Sequence, residues 1–307
     1  MIKKMYKTKL LITTLAFMSL LLLIPKNKIK NIKQELSYTS ENVKVTSIYL
    51  LDSNNYVAKT EIGLKSTKNE DIVKELANIL IKEGPGESLI PSGFKSIINE
   101  ETKIISLEIK DAVLKINFSK SFLEENDKKA LESLVYTMTE LEDIDKVIVF
   151  IEGEILTKLT DGTLIKNPID RTIGINKIYD INNLDNVTSV TIYYLNEYND
   201  NLYYVPVTKY LNDTREKITI IIDELNSTSL YTTNLMSFLN QDVKLLSAVE
   251  KDETLNLQFN EAIFNSDDLI LEEVIYTILY SVEDNYNVKN VTFNVENKEI
   301  LKKVLKY

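Results

Sequence analysis

The chain has 307 residues, 44% of them hydrophobic, and a formal net charge of −10. That length suits two domains, and that apolar share suits packed cores rather than disorder. It contains no Cys, His or Trp, which removes disulfides, thiolate nucleophiles, iron–sulfur clusters, His-dependent triads and the common zinc ligand sets.

The N-terminus is basic and the rest is acidic. Residues 1–35 carry eight Lys and one Glu, a local +7, which leaves −17 on the remainder against the overall −10. An acidic body is repelled by nucleic acid and anionic polymers and attracts basic partners. Solubility alone is an equally plain use of that charge. Residues 1–9 read as a basic cytoplasmic stub. Residues 10–24, LLITTLAFMSLLLLI, form an apolar run about 22 Å long as a helix. Pro25-Lys26-Asn27-Lys28 follows, rather than a small-x-small cleavage site. We expect an uncleaved single-pass signal anchor in the cytoplasmic membrane, with the body outside the cytoplasm. Lys on both flanks makes the positive-inside rule a weak guide to that orientation. Residues 25–42 read as a juxtamembrane linker.

The first domain is expected over 43–178. It opens with strand patterns at VTSIYLLD and YVAKTEIGLK. A helix follows with Ile72, Leu76, Ile79 and Leu80 on one face, Asn69 as N-cap and Gly84 as its stop. The loop GPGESLIPSG has Gly84, Pro85, Gly86, Pro91 and Gly93 at fixed places. It reads either as a rigid helix-to-sheet connection or as a partner-contact surface. A hairpin over Lys103–Ser119 sets Leu114, Ile116 and Phe118 on one sheet face. Leu131, Leu134, Val135, Met138 and Leu141 then mark an amphipathic helix. KVIVFIEGE closes the unit, and Asp161-Gly162 marks a further hairpin turn. A linker is expected over 179–186; its oxygen-rich DINNLDN lacks the Gly and terminal Glu of an EF-hand loop.

The second domain, 187–307, retraces the first. VTIYYLN and LYYVPVTKY open it. DTREKITIIIDELN reads as a helix through Ile218, Ile221, Ile222 and Leu225, though its β-branched run leaves strand character open. A hairpin over Lys244–Asn260 repeats the alternation with Leu255, Leu257 and Phe259. A helix with Leu271, Val274, Ile275, Ile278 and Val282 and the strand NVTFNVENKE end it. The Val/Ile-Tyr-Thr core stands twice, at Val135–Thr137 and Ile275–Thr277. The chain is thus a tandem duplication, and its fold class is α+β, each domain a mixed, mainly antiparallel sheet with two helices. The second half uses Asn and Asp where the first uses Gly, since all seven Gly lie at or before Gly174.

Few residues carry chemistry. Glu140, Glu142, Asp143 and Asp145 sit at a helix end and read as solvated charges; paired carboxylates for glycoside hydrolysis are the rival use. Tyr193, Tyr194, Tyr198, Tyr203 and Tyr204 cluster on one hairpin. They serve either cross-strand pairing or, at Tyr193 and Tyr203, an exposed contact for a partner or a sugar. No catalytic, cofactor-binding or metal-ligating residue is assigned, and no cofactor is expected.

The order of YLLD, GPGESLIPSG, VYTMTEL and VIVFIEGE over residues 43–176 resembles the GerMN-domain family of sporulation and spore-germination proteins. Residues 187–302 resemble it more weakly, without the Gly-Pro and Pro-x-Gly elements. Family members are often lipoproteins, whereas this chain has no Cys to lipidate. The resemblance implies a non-enzymatic scaffold in endospore formation or germination. It would stand in the space between mother cell and forespore, near the channel complex, with other sporulation envelope or channel proteins as partners. The rival is a peptidoglycan-binding or wall-remodelling accessory.

Overall fold

The computed structural model describes residues 44–124, 127–227 and 234–305. The expected stub, the anchor at 10–24 and the linker at 25–42 lie outside the described residues. Among the described residues no helix is long and apolar enough to cross a membrane.

Each repeat begins with a hairpin. In the first, β1 (Lys44–Asp52) pairs antiparallel with β2 (Val57–Leu64). Asp52 fixes the turn by accepting from the Asn54 and Tyr56 amides at 2.9 and 2.7 Å. Helix α1 (Asn69–Leu80) follows, then the short β3 (Phe94–Lys95) on the outer edge of β1. The helix cap is Lys68 rather than Asn69, and its side chain makes no capping bond. Next come the hairpin β4 (Ile104–Lys110) and β5 (Val113–Phe118), helix α2 (Asp127–Met138), and β6 (Lys146–Ile151) with β7 (Glu154–Ile155). Because α2 carries the chain over one face, β6 returns parallel to β5, giving the order β4-β5-β6-β7. Leu114, Ile116 and Phe118 are fully buried beneath it, as their period of two requires.

The segment after β7 ends in β8 (Ile178–Asp180), so the chain is still paired where a linker was expected to begin. The second repeat then runs β9 (Thr188–Tyr198), β10 (Asn201–Leu211) and α3 (Lys217–Asn226). It continues with β11 (Leu245–Lys251), β12 (Thr254–Phe259), α4 (Glu272–Asn285), β13 (Asn290–Val295) and β14 (Lys298–Val304). The run Ile218–Ile222 is helical. Each β-branched residue costs about 0.5 kcal/mol there, whereas burying an Ile returns about 1.5–3 kcal/mol, and Ile218, Ile220, Ile221 and Ile222 are all buried. The turns of this repeat do without Gly. Asn199-Asp200, Asp252-Glu253 and Glu296-Asn297 all hold positive φ between 49° and 63°, the pair of left-handed residues that a tight hairpin needs.

The two opening hairpins do not form separate sheets. They join into one six-stranded sheet through a β2–β10 contact whose single register pair is Lys59 with Tyr204. Equivalent side chains meet across this junction. The Tyr49 and Tyr193 hydroxyls lie 2.8 Å apart, and Asn196 donates to Asp52 at 3.1 Å, each pair offset by 144 residues. Only positions near a two-fold axis touch their own counterparts, so the repeats are related by a pseudo-two-fold.

The same offset governs the helices. Thr137 accepts the Tyr49 amide at 3.0 Å and Ser281 the Tyr193 amide at 2.9 Å. Tyr136 meets the Tyr49 ring at 5.3 Å and Tyr280 meets Tyr193 at 5.4 Å. The structural partner of Tyr136-Thr137 is therefore Tyr280-Ser281, one helical turn beyond the Tyr276-Thr277 that repeats the letters. Ser133, Thr137 and Ser281 are fully buried because they serve the outer edges of β1 and β9. Ser133 donates to the Tyr49 carbonyl, and Asn285 brackets Thr191 from the other helix. Covering edges in this way removes unpaired strand groups from the interior.

A shared sheet couples the repeats. Calorimetric unfolding of the chain is expected to give one transition with matching calorimetric and van't Hoff enthalpies; two resolved transitions would contradict the coupling.

Candidate functional site

Strand pleating brings four charged groups to the pseudo-axis. Lys59 comes from β2, Glu140 from the end of α2, Asp284 from α4 and Arg171 from the segment after β7. Arg171 spans the two carboxylates, with Nη2 2.6 Å from Glu140 Oε1 and Nη1 2.6 Å from Asp284 Oδ1. Its Nε donates to Thr139 Oγ1 at 2.9 Å. Lys59 Nζ reaches the same Glu140 oxygen at 2.9 Å. Glu140 and Asp284 side chains are 6% and 1% exposed, so these pairs are shielded from solvent. Aromatic faces complete the shell, with Arg171 5.0 Å from the Tyr136 centroid and Lys59 4.3 Å from that of Tyr280.

The tyrosines link the two acids. Tyr49 donates to Glu140 at 2.8 Å and Tyr193 to Asp284 at 3.0 Å, while the two hydroxyls also touch each other. Two phenolic protons thus serve three contacts. Burial pushes both tyrosines well above their ordinary value, which keeps those protons in place. Burial also pushes the Glu140 carboxyl up, but Lys59 and Arg171 outweigh it and hold Glu140 well below the carboxylate range. A fifth group, Glu283, is pushed up to about 7, first by burial and then by Glu140 and Asp284, with Lys59 and Arg171 opposing. The junction sets two basic side chains against two acidic ones, and each is ion-paired within the protein.

The sequence-derived candidates fall around this junction. Tyr193 and Tyr203 are 1% and 6% exposed, which corrects the expectation that they face a partner. Tyr193 is held by Asp284, while Tyr203 donates to Asp52 at 2.9 Å and packs edge-on against Phe94 at 4.9 Å. Of the five candidate residues in the loop, Pro85 alone is exposed. Gly84, Pro91 and Gly93 are half-buried and Gly86 is buried. Gly93 has φ +92°, and a Cβ there would lie 2.5 Å from the Tyr198 ring of the second repeat. The loop is thereby pressed onto the other half. Glu140 is an ion-paired interior group, not the solvated helix-end charge expected of it. Glu142, Asp143 and Asp145 are not part of the four-charge junction.

Lys59, Arg171, Asp284 and Asp52 carried no motif. One signal was present: only Arg171 and Arg215 are arginine among 36 basic residues. In so Lys-rich a chain, an Arg marks a place where a planar two-armed donor is required.

Two outcomes are expected. Arg171→Ala removes the cation that Asp284 and Glu140 share, leaving Glu140 with Lys59 alone, and is expected to cost about 3–5 kcal/mol, read by urea unfolding; Arg171→Lys should recover little, because one ammonium cannot span both acids. Glu283 binds its proton more tightly when folded, so it erodes stability as pH rises from about 4.5 to about 7 and leaves it lower above that. Glu283→Gln should remove this slope and stabilise the protein at pH 8 by about 1–3 kcal/mol; an unchanged slope would contradict the assignment.

Comparison with known proteins agrees with the duplication. The family Germane, described as sporulation and spore germination, matches residues 47–157 and again 191–301. The spore germination protein GerM of Bacillus subtilis (strain 168) is 33% identical over 265 residues, covering 83% of this chain and 72% of that protein. The solved tandem GerMN domains of the B. subtilis sporulation protein GerM superpose with a TM-score of 0.75 at 31% identity, covering 83% of this chain and 92% of the other. Two family matches, a curated relative and a shared tandem architecture place the chain in the Germane family of sporulation and spore-germination proteins, as a member with two GerMN domains.

Proposed function

We propose that this protein is a membrane-anchored, extracytoplasmic, non-enzymatic scaffold in endospore formation or germination, acting near the mother cell–forespore channel complex. The observation that carries this reading is the self-satisfied junction. Its ionic groups are spent on locking two repeats into one body, which is what a platform for other proteins needs. The four-stranded sheets add surface for contact. Ile105 on β4 and Leu246 and Val249 on β11 are 54%, 60% and 56% exposed on strands at sheet edges, where pairing with another chain is cheapest. An acidic body favours basic partner surfaces and disfavours nucleic acid. The anchor rests on the apolar run at 10–24.

Crosslinking of the tagged protein in cells, with mass spectrometry through growth and sporulation, tests the scaffold. Sporulation envelope or channel proteins are expected among the captured partners once sporulation starts; capture of wall enzymes alone in growing cells would overturn it. Protease added to intact protoplasts should digest the body and spare the anchor, and a protected body would reverse the topology.

A further inference from the structure

The pseudo-two-fold is broken in one place. β2 and β10 diverge on both sides of the Lys59–Tyr204 pair. On one side the gap between Val57 and Pro206 is closed by the segment after β7. Asn176 accepts the Val57 amide at 2.9 Å and donates to the Val57 and Pro206 carbonyls at 2.8 Å each. Ile175 donates to Thr208 Oγ1, Thr208 returns a bond to the Ile175 carbonyl, and β8 continues parallel beside β10. Ile175 and the strand Ile178–Asp180 are thereby added along the Thr208–Leu211 edge of β10, with Asn176 in left-handed backbone (φ 46°) between them.

Pro206 stands opposite Tyr193 as Lys59 stands opposite Tyr49, so β10 is offset from β2 by 147 residues, and the Thr208–Leu211 edge covered in this way corresponds to the Glu61–Leu64 edge of β2. Among the described residues no strand pairs along that edge. A cleft of about 970 Å³ opens instead, lined among others by Lys59, Glu61, Leu202, Tyr204, Tyr276 and Tyr280. Its walls are strand edges. Tyr49, opposite Lys59, turns its amide and carbonyl away from β2 toward α2. By alternation Lys59, Glu61 and Gly63 turn theirs away from β1, toward the cleft. On β10 the Pro206 carbonyl reaches Asn176 across the other gap, so Tyr204 and Leu202 share that orientation.

The lining differs from that of the closed gap in an informative way. There, Glu132 accepts the Asn176 amide at 3.0 Å and pairs with Lys177 at 3.3 Å; its counterpart in the cleft is Tyr276. The position of Arg171 over Tyr136 is matched by Lys59 over Tyr280, so the cleft already has its cation. Tyr204, Tyr276 and Tyr280 make an aromatic wall with centroids 5.0 and 5.7 Å apart.

We propose that this cleft docks an extended polypeptide segment of a partner protein. The segment adds as a strand against Glu61 and Leu202 and lays apolar or aromatic side chains on Tyr204, Tyr276 and Tyr280. The proposal rests on the scaffold reading for the origin of the partner, but its chemistry is testable with defined peptides alone.

The probe is a library of random twelve-residue peptides displayed on phage and selected on the full-length chain, with the best two synthesised and their affinities measured. Tyr276→Ala is expected to weaken them at least tenfold. Glu61→Pro removes one outward amide at a position that tolerates Pro because, although Glu61 stands opposite Ser47, its amide points away from β1; it should abolish binding while the thermal midpoint stays within a few degrees. Bound peptide should slow hydrogen exchange at the Glu61 and Gly63 amides. Failure to select any peptide, or binding indifferent to both variants, would overturn the proposal. An N-acetylglucosamine tetramer that binds in a Tyr276-dependent, Glu61→Pro-insensitive way would assign the cleft to a glycan. Crosslinks from the cleft to residues 25–42 of the same chain would assign it to an internal strap. Peptide binding together with failure of in-cell capture would leave the groove standing and remove the scaffold.

Discussion

The contact of Arg171 with Glu140 and Asp284 is the constraint on which the rest depends. Two carboxylates, one from each repeat, are buried close to a pseudo-axis. Unneutralised, they would drive the repeats apart or take up protons. One guanidinium with two arms satisfies both, and Lys59 adds the second charge. A buried ion network of this kind is not cheap stability, since the desolvation of each charge offsets most of the attraction. Its value lies in geometry. Only one relative placement of α2, α4, β2 and the segment after β7 satisfies all four groups at once. The junction thus specifies an arrangement that hydrophobic contact alone would leave loose.

That specification reaches outward through the backbone. Helices α2 and α4 do not merely cover the shared sheet. Their small polar residues cap the β1 and β9 edges, so each helix is fixed along the strand as well as against it. The Gly93–Tyr198 contact and the Asp52 carboxylate, which binds its own turn, Asn196 and Tyr203, tie the opposite end of the hairpins. Beyond the backbone pairing of the shared sheet, the two repeats are joined by ions, by amide and phenol, and by close packing on a glycine.

Much of the architecture was legible in the residues. Period-two triples such as Leu114-Ile116-Phe118 and Leu255-Leu257-Phe259 declare the sheet faces, and the duplication is visible in paired motifs. The α3 helix was less legible, because propensity and burial pull Ile218–Ile222 in opposite directions. The junction was nearly invisible. Lys59 lies in an ordinary alternating strand, and Arg171 lies in a segment with no motif. Glu140 looks like any solvated helix end until the second repeat folds over it. Tyr193 and Tyr203 were misread for the same reason: alternation tells which side chains share a face, but not that another repeat will cover that face. The repeated Tyr-Thr letters were a true sign of duplication and a false guide to equivalence, since contact follows the strand register and the helix has slipped by a turn.

In a dimer of identical subunits, a residue on the axis faces its own copy. Every such position must be complementary to itself, and an acid there meets an acid. Duplication within one chain lifts that restriction, because the two copies mutate separately. Asp52 now faces Asn196, an acceptor against a donor, a pairing forbidden to a homodimer. Lys59 likewise has Pro206 as its counterpart, each standing opposite the junction tyrosine of its own hairpin, so one half contributes a cation and the other an uncharged ring. Covalent linkage thus converts a self-facing surface into a self-complementary lock whose two halves have been free to specialise.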